Sequence, residues 1–140
     1  MDNFKTILNI CMQKGFKITP LRFAIIEIIS YEEKCIKPYL LFKKLKKKKQ
    51  TTSIMSIYRT INFLEKNNVL HKIKTLKSYF LCCNPNRMCQ LFIFVNCKST
   101  IERHEHSVYH LLQDIAYEER FFILKKEIEI TGLCKACKNQ

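Results

Sequence analysis

Cysteines and histidines at metal-ligand spacing are the residues with the clearest chemistry in this sequence. Near its carboxyl end, Cys134 and Cys137 are two residues apart, a spacing at which two thiolates can turn onto one tetrahedral Zn²⁺ ion. A redox-active pair has the same spacing, but it requires a helix N-terminus at the first cysteine to lower the thiol pKa. Only three residues follow Cys137, so no helix is expected there, and structural zinc is the favoured interpretation.

A closed zinc site needs two more ligands. Cys97 follows an apolar run of strand length and is the natural third ligand. Phe94 stands three residues before it, where a second Cys-x-x-Cys pair would have its first cysteine. The fourth ligand is therefore open: Cys83 or Cys89 could complete the site, the site could keep three protein ligands, or zinc binding could be lost.

A second candidate site has a mixed set of nitrogen, sulfur and oxygen donors, which zinc accepts: His71, Cys82, Cys89 and Glu102. The first two residues lie on the arms of a predicted hairpin and the other two beyond it. Ligands from both halves of the chain would couple metal occupancy to the relative orientation of the halves. The alternative is two small buried cysteines and two surface polar residues. Three further histidines form another possible cluster, although a solvated strand end is the favoured explanation: His104, His106 and His110.

Apolar spacing and capping residues predict the elements that hold these donors. Helices are expected over residues 2–14, from Pro20 behind a Thr19 cap, over 39–47 and over 53–66. The third helix is expected to bury three leucines, Leu40, Leu41 and Leu45. Two β-prone runs, 69–73 and 78–82, flank a polar turn and predict a hairpin directly after the fourth helix. Helices followed by a hairpin are the outline of a winged helix-turn-helix.

The remaining chain predicts a small α+β module. Strands are expected over 91–95, 100–103 and 121–130. Between the last two strands, Ser107 is expected to cap a helix that buries four side chains: Val108, Leu111, Leu112 and Ile115. A module of about sixty residues is small to stand alone, so a metal, a dimer partner or both would supply what its core lacks.

The fourth helix is the predicted DNA-reading element. Its buried side would carry apolar residues at three- and four-residue steps: Ile54, Ile57, Ile61 and Leu64. Its other side would carry small hydroxyls and positive charge, which suits a helix in the major groove: Ser56, Arg59, Thr60 and Lys66. The alternative is an ordinary amphipathic surface helix.

Positive charge is concentrated in the first half of the chain. Residues 1–80 carry 17 Lys and Arg against 5 Asp and Glu, whereas residues 81–140 carry 8 against 7. A basic half attracts a polyanion through phosphate contacts that release counterions. Low-GC codon drift towards lysine is the alternative explanation. All cysteines except Cys11 and Cys35 lie in the second half, and clustered cysteines in a cytosolic protein indicate metal or redox chemistry before disulfides.

The predicted fold class is α+β. We expect a winged helix-turn-helix over 1–83, a hinge over 84–90, and a dimerisation and zinc-binding domain over 91–140. No apolar run approaches the length of a membrane span and the N-terminus has no apolar signal core, so a cytoplasmic protein is expected. Paired carboxylates, a Ser/His/Asp set and a phosphate-binding glycine loop are all missing from the pattern, which disfavours an enzyme.

Five segments, taken together and in order, resemble the ferric uptake regulator family of bacterial metal-dependent repressors over nearly the whole chain. They are residues 15–22 (Gly-Phe-Lys-Ile-Thr-Pro-Leu-Arg), 56–61 (Ser-Ile-Tyr-Arg-Thr-Ile), 69–72 (Val-Leu-His-Lys), 79–82 (Tyr-Phe-Leu-Cys) and 132–137 (Gly-Leu-Cys-Lys-Ala-Cys). Within the family, the chain is most similar to the zinc uptake regulator branch, because His71, Cys82 and Glu102 match that branch's sensing ligands and Cys89 stands near the fourth. The histidine-rich segment typical of iron and peroxide sensors is missing.

The resemblance implies a homodimer that binds a double-stranded DNA operator when zinc fills the sensing site. The residues expected to contact DNA are Tyr39, Ser56, Tyr58, Arg59 and Thr60. The expected regulatory zinc ligands are His71, Cys82, Cys89 and Glu102, and the expected structural zinc ligands are Cys97, Cys134 and Cys137. The resulting prediction is a zinc-responsive transcriptional repressor of metal-uptake genes. The alternatives are an iron- or peroxide-sensing repressor of the same family and a zinc-binding module that recognises RNA or an acidic protein.

Overall fold

The structure is a computed structural model of the 140-residue chain and describes residues 3–32, 35–50, 52–82, 87–124 and 127–139. The chain forms two compact units, Met1–Pro85 and Asn86–Gln140. The elements in chain order are α1 (Asn3–Gln13), α2 (Pro20–Ser30), α3 (Pro38–Lys47), α4 (Ile54–Lys66), β1 (Leu70–Ile73), β2 (Ser78–Leu81), β3 (Cys89–Phe94), β4 (Ser99–Arg103), α5 (His106–Glu118), β5 (Glu127–Gly132) and α6 (Lys135–Lys138).

The helices of the first unit begin at the residues whose chemistry caps them. The backbone N–H of Arg22 donates to the Thr19 hydroxyl at 3.3 Å, and Pro20 occupies the first position of α2. The backbone N–H of Ser56 donates in the same way to the Ser53 hydroxyl at 3.1 Å, which caps α4. The apolar faces that follow these caps meet in one core of fully buried side chains, which includes Ile7, Ile25, Leu41, Ile57 and Leu64.

The predicted buried side of α3 is wrong at one residue. Leu41 and Leu45 are fully buried, but Leu40 keeps 44% of its surface exposed. Successive helix residues are about 100° apart around the axis, so Leu40 lies away from the side of α3 that carries Leu41 and Leu45. Leu45 lies on the same side of Leu41 around the axis as Phe42 does, so Phe42 packs against the core in place of Leu40.

The hairpin that follows α4 is held against the helices by backbone hydrogen bonds. Strands β1 and β2 are antiparallel, with Leu70 opposite Leu81. The N–H of Ile36, just before α3, donates to the carbonyl of Tyr79 at 2.8 Å, and the N–H of Tyr79 donates back at 2.9 Å. These bonds fix the hairpin as the wing of a winged helix-turn-helix, as the sequence predicted.

The second unit is built on a three-stranded sheet of order β4-β3-β5. Strand β3 pairs antiparallel with β4 and parallel with β5. Phe94 and Gly132 form the last matched positions of the parallel pair, so β3 and β5 end side by side. On one face of β3, Leu91 and Ile93 are buried, while Phe92 on the other face is 41% exposed.

Several predicted boundaries and environments in the second unit are wrong. Strand β3 begins at Cys89, two residues before the predicted start, and β5 spans Glu127–Gly132 instead of 121–130. Residues 121–124 are irregular and mostly exposed, so this apolar run does not mark a strand. Helix α5 has Glu105 at its N-cap position instead of Ser107. Two of its four supposed core residues, Leu111 and Ile115, are 61% and 48% exposed. Among the described residues, no helix is long and apolar enough to cross a membrane.

Candidate nucleic-acid interface and metal centres

The exposed side of α4 is the candidate surface for reading nucleic acid. Four residues form one stripe along it: Met55, Arg59, Asn62 and Lys66. No residue of the described chain forms a hydrogen bond or ion pair with Arg59, so its five N–H donors are available to a ligand. Asn62 was missed by the sequence prediction, although its position one turn from Arg59 placed it on the same face. Its amide can pair with an adenine edge, as the Arg59 guanidinium can with guanine.

The other residues predicted to contact DNA are two exposed tyrosines and two residues whose hydroxyls already form hydrogen bonds within the protein. Tyr39, in the first turn of α3, is 63% exposed, and Tyr58 is 43% exposed. The Thr60 hydroxyl donates to the carbonyl oxygen of Ser56 at 2.9 Å. The Ser53 hydroxyl donates to the hydroxyl oxygen of Ser56 at 3.0 Å. Thr60 therefore offers a ligand only acceptor capacity, whereas the Ser56 hydroxyl keeps its own proton.

Some basic residues of the first unit stabilise the fold. The Arg22 guanidinium donates to the carbonyl of Lys17 at 2.7 Å and lies over the ring of Phe63, 3.7 Å from its centroid. Lys48 pairs with Glu27 at 2.9 Å, and Lys44 pairs with Glu32. Three other lysines of this region are exposed and have no ion pair with the described residues: Lys43, Lys47 and Lys49. The positive charge of this unit is therefore partly structural and partly open to phosphate.

In the first unit, the wing brings two of the predicted zinc ligands together. His71 lies opposite Phe80, and the N–H of Cys82 donates to the carbonyl of Val69 at 2.8 Å, so both donors share one face of the hairpin. A ring nitrogen of His71 and the Cys82 thiol lie within 4.8 Å of each other. Both residues are buried, with 2% and 0% of their surfaces exposed. The wing therefore presents a nitrogen–sulfur pair that could hold a soft or borderline metal.

In the second unit, Cys89 and Glu102 form the other predicted pair. Glu102 lies opposite Leu91, two residues beyond Cys89, so both side chains share one face of the sheet. The thiol and a carboxylate oxygen lie within 4.8 Å of each other. Cys89 is 1% exposed and its thiol donates to the carbonyl of Arg87 at 3.5 Å.

His104 orients Glu102, a role that the sequence prediction did not assign. His104 Nε2 is 3.1 Å from Glu102 Oε1, and the side chains are 14% and 8% exposed. The other ring nitrogen, Nδ1, is 3.0 Å from the carbonyl of Met88. The solvated strand end favoured for this histidine is therefore wrong. The Glu-x-His spacing on one strand face was the available signal, since such residues point the same way.

The three cysteines predicted to hold structural zinc converge in the second unit. Cys97 Sγ is 3.6 Å from both Cys134 Sγ and Cys137 Sγ, and all three lie within 4.8 Å of one another. Two thiolates bound to one zinc at about 2.3 Å and tetrahedral angles are about 3.8 Å apart. The cluster therefore has the dimensions of one face of a tetrahedral thiolate site, with no disulfide among these thiols.

The expectation that no helix accompanies the Cys-x-x-Cys pair is wrong. Cys134 is the N-cap of the short helix α6. The backbone N–H of Cys137 donates to the Cys134 sulfur at 3.4 Å and, with hydrogen bonds from the Cys137 and Cys97 side chains, lowers the Cys134 pKa to about 7. The side-chain hydrogen bond with Cys134, and after it the side-chain hydrogen bond with Cys97, raises the pKa of Cys137 to about 11. A third thiol equally close to both sulfurs still favours metal over a two-cysteine redox pair.

Of the two cysteines predicted as a possible fourth ligand, one is too far from this cluster and the other is not described. Cys89 is the first residue of β3, whereas Cys97 lies three residues beyond Phe94, the last residue of that strand. Six strand residues span about 17 Å, so Cys89 cannot complete the cluster. Cys83 lies outside the described residues. His106 and His110 contact each other instead, with their Nε2 atoms 2.8 Å apart on α5.

An exposed apolar surface accompanies the metal donors of the second unit. It is formed by the outer side of α5 and the segment that follows: Leu111, Ile115, Tyr117, Phe121, Phe122 and Leu124, which are between 48% and 93% exposed. A groove of about 800 Å³ lies along its end, lined by residues that include Tyr109, Ala116 and Phe121. Apolar surface of this extent on a small unit indicates an interaction site.

Comparisons with known proteins agree with this fold. The sequence profile of the ferric uptake regulator family matches residues 13–131. The zinc uptake regulation protein of Escherichia coli (strain K12) is 28% identical over 132 residues, covering 92% of this chain and 77% of that protein. The ferric uptake regulation protein of Helicobacter pylori (strain J99) is 22% identical over 129 residues, covering 90% of this chain and 85% of that protein.

Solved structures give the same picture. A zinc uptake regulator in complex with zinc and DNA is 25% identical, with a TM-score of 0.82, covering 97% of this chain and 93% of that one. The crystal structure of holo XcZur shares the fold at 24% identity, with a TM-score of 0.82 and coverage of 98% and 97%.

Proposed function

Because this chain belongs to the ferric uptake regulator family, we propose that it is a zinc-responsive DNA-binding repressor that controls metal-uptake genes. The observation that carries the proposal is the combination of a winged helix-turn-helix, whose fourth helix exposes Arg59, with clustered thiol and imidazole donors. The relative that is bound to zinc and DNA supports the same combination of ligands. The family is one of regulators, which agrees with the prediction that the chain is not an enzyme.

DNA recognition is assigned to α4 and the wing. Arg59 can donate two parallel hydrogen bonds to a guanine edge, and Tyr39, Ser56, Tyr58 and Thr60 would contact bases or backbone beside it. The exposed lysines of α3 and of the wing would contact phosphates, which positions the helix without reading sequence. This division of roles makes Arg59 the residue on which sequence preference depends.

The regulatory zinc ligands are proposed to be two donor pairs, His71 with Cys82 and Cys89 with Glu102. Each pair offers two donors within 4.8 Å, which is half of a four-coordinate zinc site, and together they make a set that zinc accepts. When bound, zinc supplies coordinate bonds to the imidazole, thiolate and carboxylate donors of these pairs. His104 holds the Glu102 carboxylate in place for this role.

The structural zinc ligands are proposed to be Cys97, Cys134 and Cys137, whose spacing fits one tetrahedral face. With zinc bound, these cysteines would cross-link the end of β3 to the end of β5, which stabilises a unit with few buried side chains. The exposed apolar surface of α5 is proposed to bind the same surface of a second copy. A two-fold dimer would place two reading helices on one operator.

The proposal is tested by selecting duplexes from a random library with the reduced, zinc-loaded protein. Affinity for the selected duplex is then measured with zinc, with ferrous iron and with a chelator. We expect tight binding with zinc and a loss of at least tenfold with the chelator. RNA of the same sequence, compared at two salt concentrations, tests the alternative of an RNA-binding module.

Matched cysteine variants assign the response to the predicted ligands. Cys82→Ser should remove the zinc response and leave a folded protein. Cys35→Ser changes a half-buried cysteine outside both donor clusters and should leave the response intact. Equal affinity with and without zinc would refute the proposed regulation, a stronger response to iron would identify an iron sensor, and equal binding of RNA would refute the DNA assignment.

A further inference from the structure

The cluster of Cys97, Cys134 and Cys137 has three protein donors, and the missing donor has a definite place. Two turns of the same kind carry these cysteines. The N–H of Lys138 donates to the carbonyl of Cys134 at 3.0 Å, and the N–H of Lys98 donates to the carbonyl of Phe94 at 2.7 Å. Phe94 therefore holds, in the first turn, the position that Cys134 holds in the second.

The sheet brings these two turns together. Strands β3 and β5 are parallel and end at matched positions, so the turns leave the same edge of the sheet. Among the described residues, no fourth His, Cys, Asp or Glu joins the three thiols. The side chain at position 94 would supply the fourth corner of a tetrahedral site, and a phenyl ring has no donor atom.

The surroundings of the cluster admit a small anionic ligand. Each cysteine is half-buried, and each is followed in the sequence by an exposed lysine: Lys98, Lys135 and Lys138. Three thiolates give a Zn²⁺ site one net negative charge, and the three ammonium groups compensate both that charge and the charge of a further anion. Zinc sites with three protein ligands keep an open position for an exogenous ligand.

We propose that a metal held by Cys97, Cys134 and Cys137 takes its fourth ligand from solution, as the thiolate of a low-molecular-weight thiol. This inference rests on the proposed metal binding by these cysteines. The incoming thiol releases its proton to solvent, and its sulfur replaces a bound water, so no oxidant or reductant is required. Because that ligand exchanges with solution, the site releases its metal faster than a site with four cysteines.

The test compares wild type with Phe94→Cys, which restores a fourth thiol, and Phe92→Cys, which adds a thiol to the same strand face two residues away. Each full-length protein is loaded with cobalt(II) without oxygen and titrated with 2-mercaptoethanol. The three thiolates of wild type and of Phe92→Cys already give sulfur-to-cobalt charge-transfer absorbance, and added thiol should raise it further in a saturable way. Phe94→Cys should show the higher absorbance before any thiol is added and should not rise further.

Zinc release to a chromogenic chelator gives an independent measurement. Phe94→Cys should release zinc from this site at least ~10-fold more slowly than wild type, because a donor within the chain acts at a high effective concentration. Phe92→Cys should release it at the wild-type rate. The inference is wrong if wild type does not respond to added thiol, or if Cys83→Ser alters its cobalt spectrum, which would identify a protein donor.

A further variant separates failure of this inference from failure of the proposed metal site. Cys134→Ser/Cys137→Ser should bind less cobalt than wild type. If it binds as much, the three cysteines do not hold the metal and the proposed structural site fails as well. If it binds less while Phe94→Cys and wild type behave alike, only the exchangeable fourth position is refuted.

Discussion

Replacing both Leu111 and Ile115 with alanine should dissociate the proposed dimer. These side chains have 61% and 48% of their surfaces exposed in a single chain. Complete burial of a leucine or isoleucine stabilises by about 1.5–3 kcal/mol, so burying the exposed fractions of both contributes about 1.6–3.3 kcal/mol per subunit. A two-fold interface contains the pair twice, which gives about 3–7 kcal/mol per dimer. The dissociation constant should therefore rise roughly 10²- to 10⁵-fold.

Sedimentation equilibrium over a range of protein concentrations measures that constant. Met12→Ala is the matched control, because Met12 is 67% exposed on α1 and lies outside the proposed interface. The control should retain the wild-type constant, and circular dichroism should show that the double variant keeps its helices. A double variant that remains a dimer with the wild-type constant would refute the reasoning, because the exposed side of α5 would then not be the interface.

Three further predictions concern other residues. Arg59→Ala should weaken binding to a selected duplex by about 1–3 kcal/mol, roughly 5- to 150-fold. Arg59→Lys should restore the positive charge but not the base preference. An equal loss of affinity for random duplex in Arg59→Ala would contradict the role of Arg59 in base preference. His104→Gln should weaken zinc binding at the regulatory ligands by about 10-fold without changing zinc occupancy of the three-cysteine cluster. Competition titration measures zinc binding at both sites. An equal loss of zinc affinity at the two sites would count against a positioning role for His104. Burial raises the pKa of the Cys11 thiol, which disfavours its reactive thiolate. Alkylation at pH 8 should therefore modify Cys35 well before Cys11 unless denaturant is added. Equal rates of modification, measured by mass spectrometry, would show that the core opens readily.

Sequence reasoning succeeded where a local pattern determines structure. The cap at Thr19, the apolar spacing in α4 and the turn of the wing each predicted an element that the structure contains. It failed where the environment depends on distant parts of the chain. Leu40 and Leu111 have the residue type and approximate spacing of core positions, yet both are exposed, because the elements that pack on each helix decide which side is buried.

The candidate sites divide in the same way. Residue type and spacing identified the donor residues, because thiol, imidazole and carboxylate chemistry is a property of the side chain itself. Spacing could not reveal that His104 holds Glu102, which depends on the β-sheet and on the carbonyl of Met88. Nor could it show that α6 follows Cys134 directly.

The sequence by itself determined the family, the amphipathic helix α4 and the list of possible metal donors, because these depend on residue identity and on contacts within a few positions. Only the tertiary structure decided that Cys97 meets Cys134 and Cys137, and that Cys89 lies at the other end of β3 from them. The physical reason is that residues some forty positions apart become neighbours only when β3 and β5 pair in parallel and end at the same edge of the sheet.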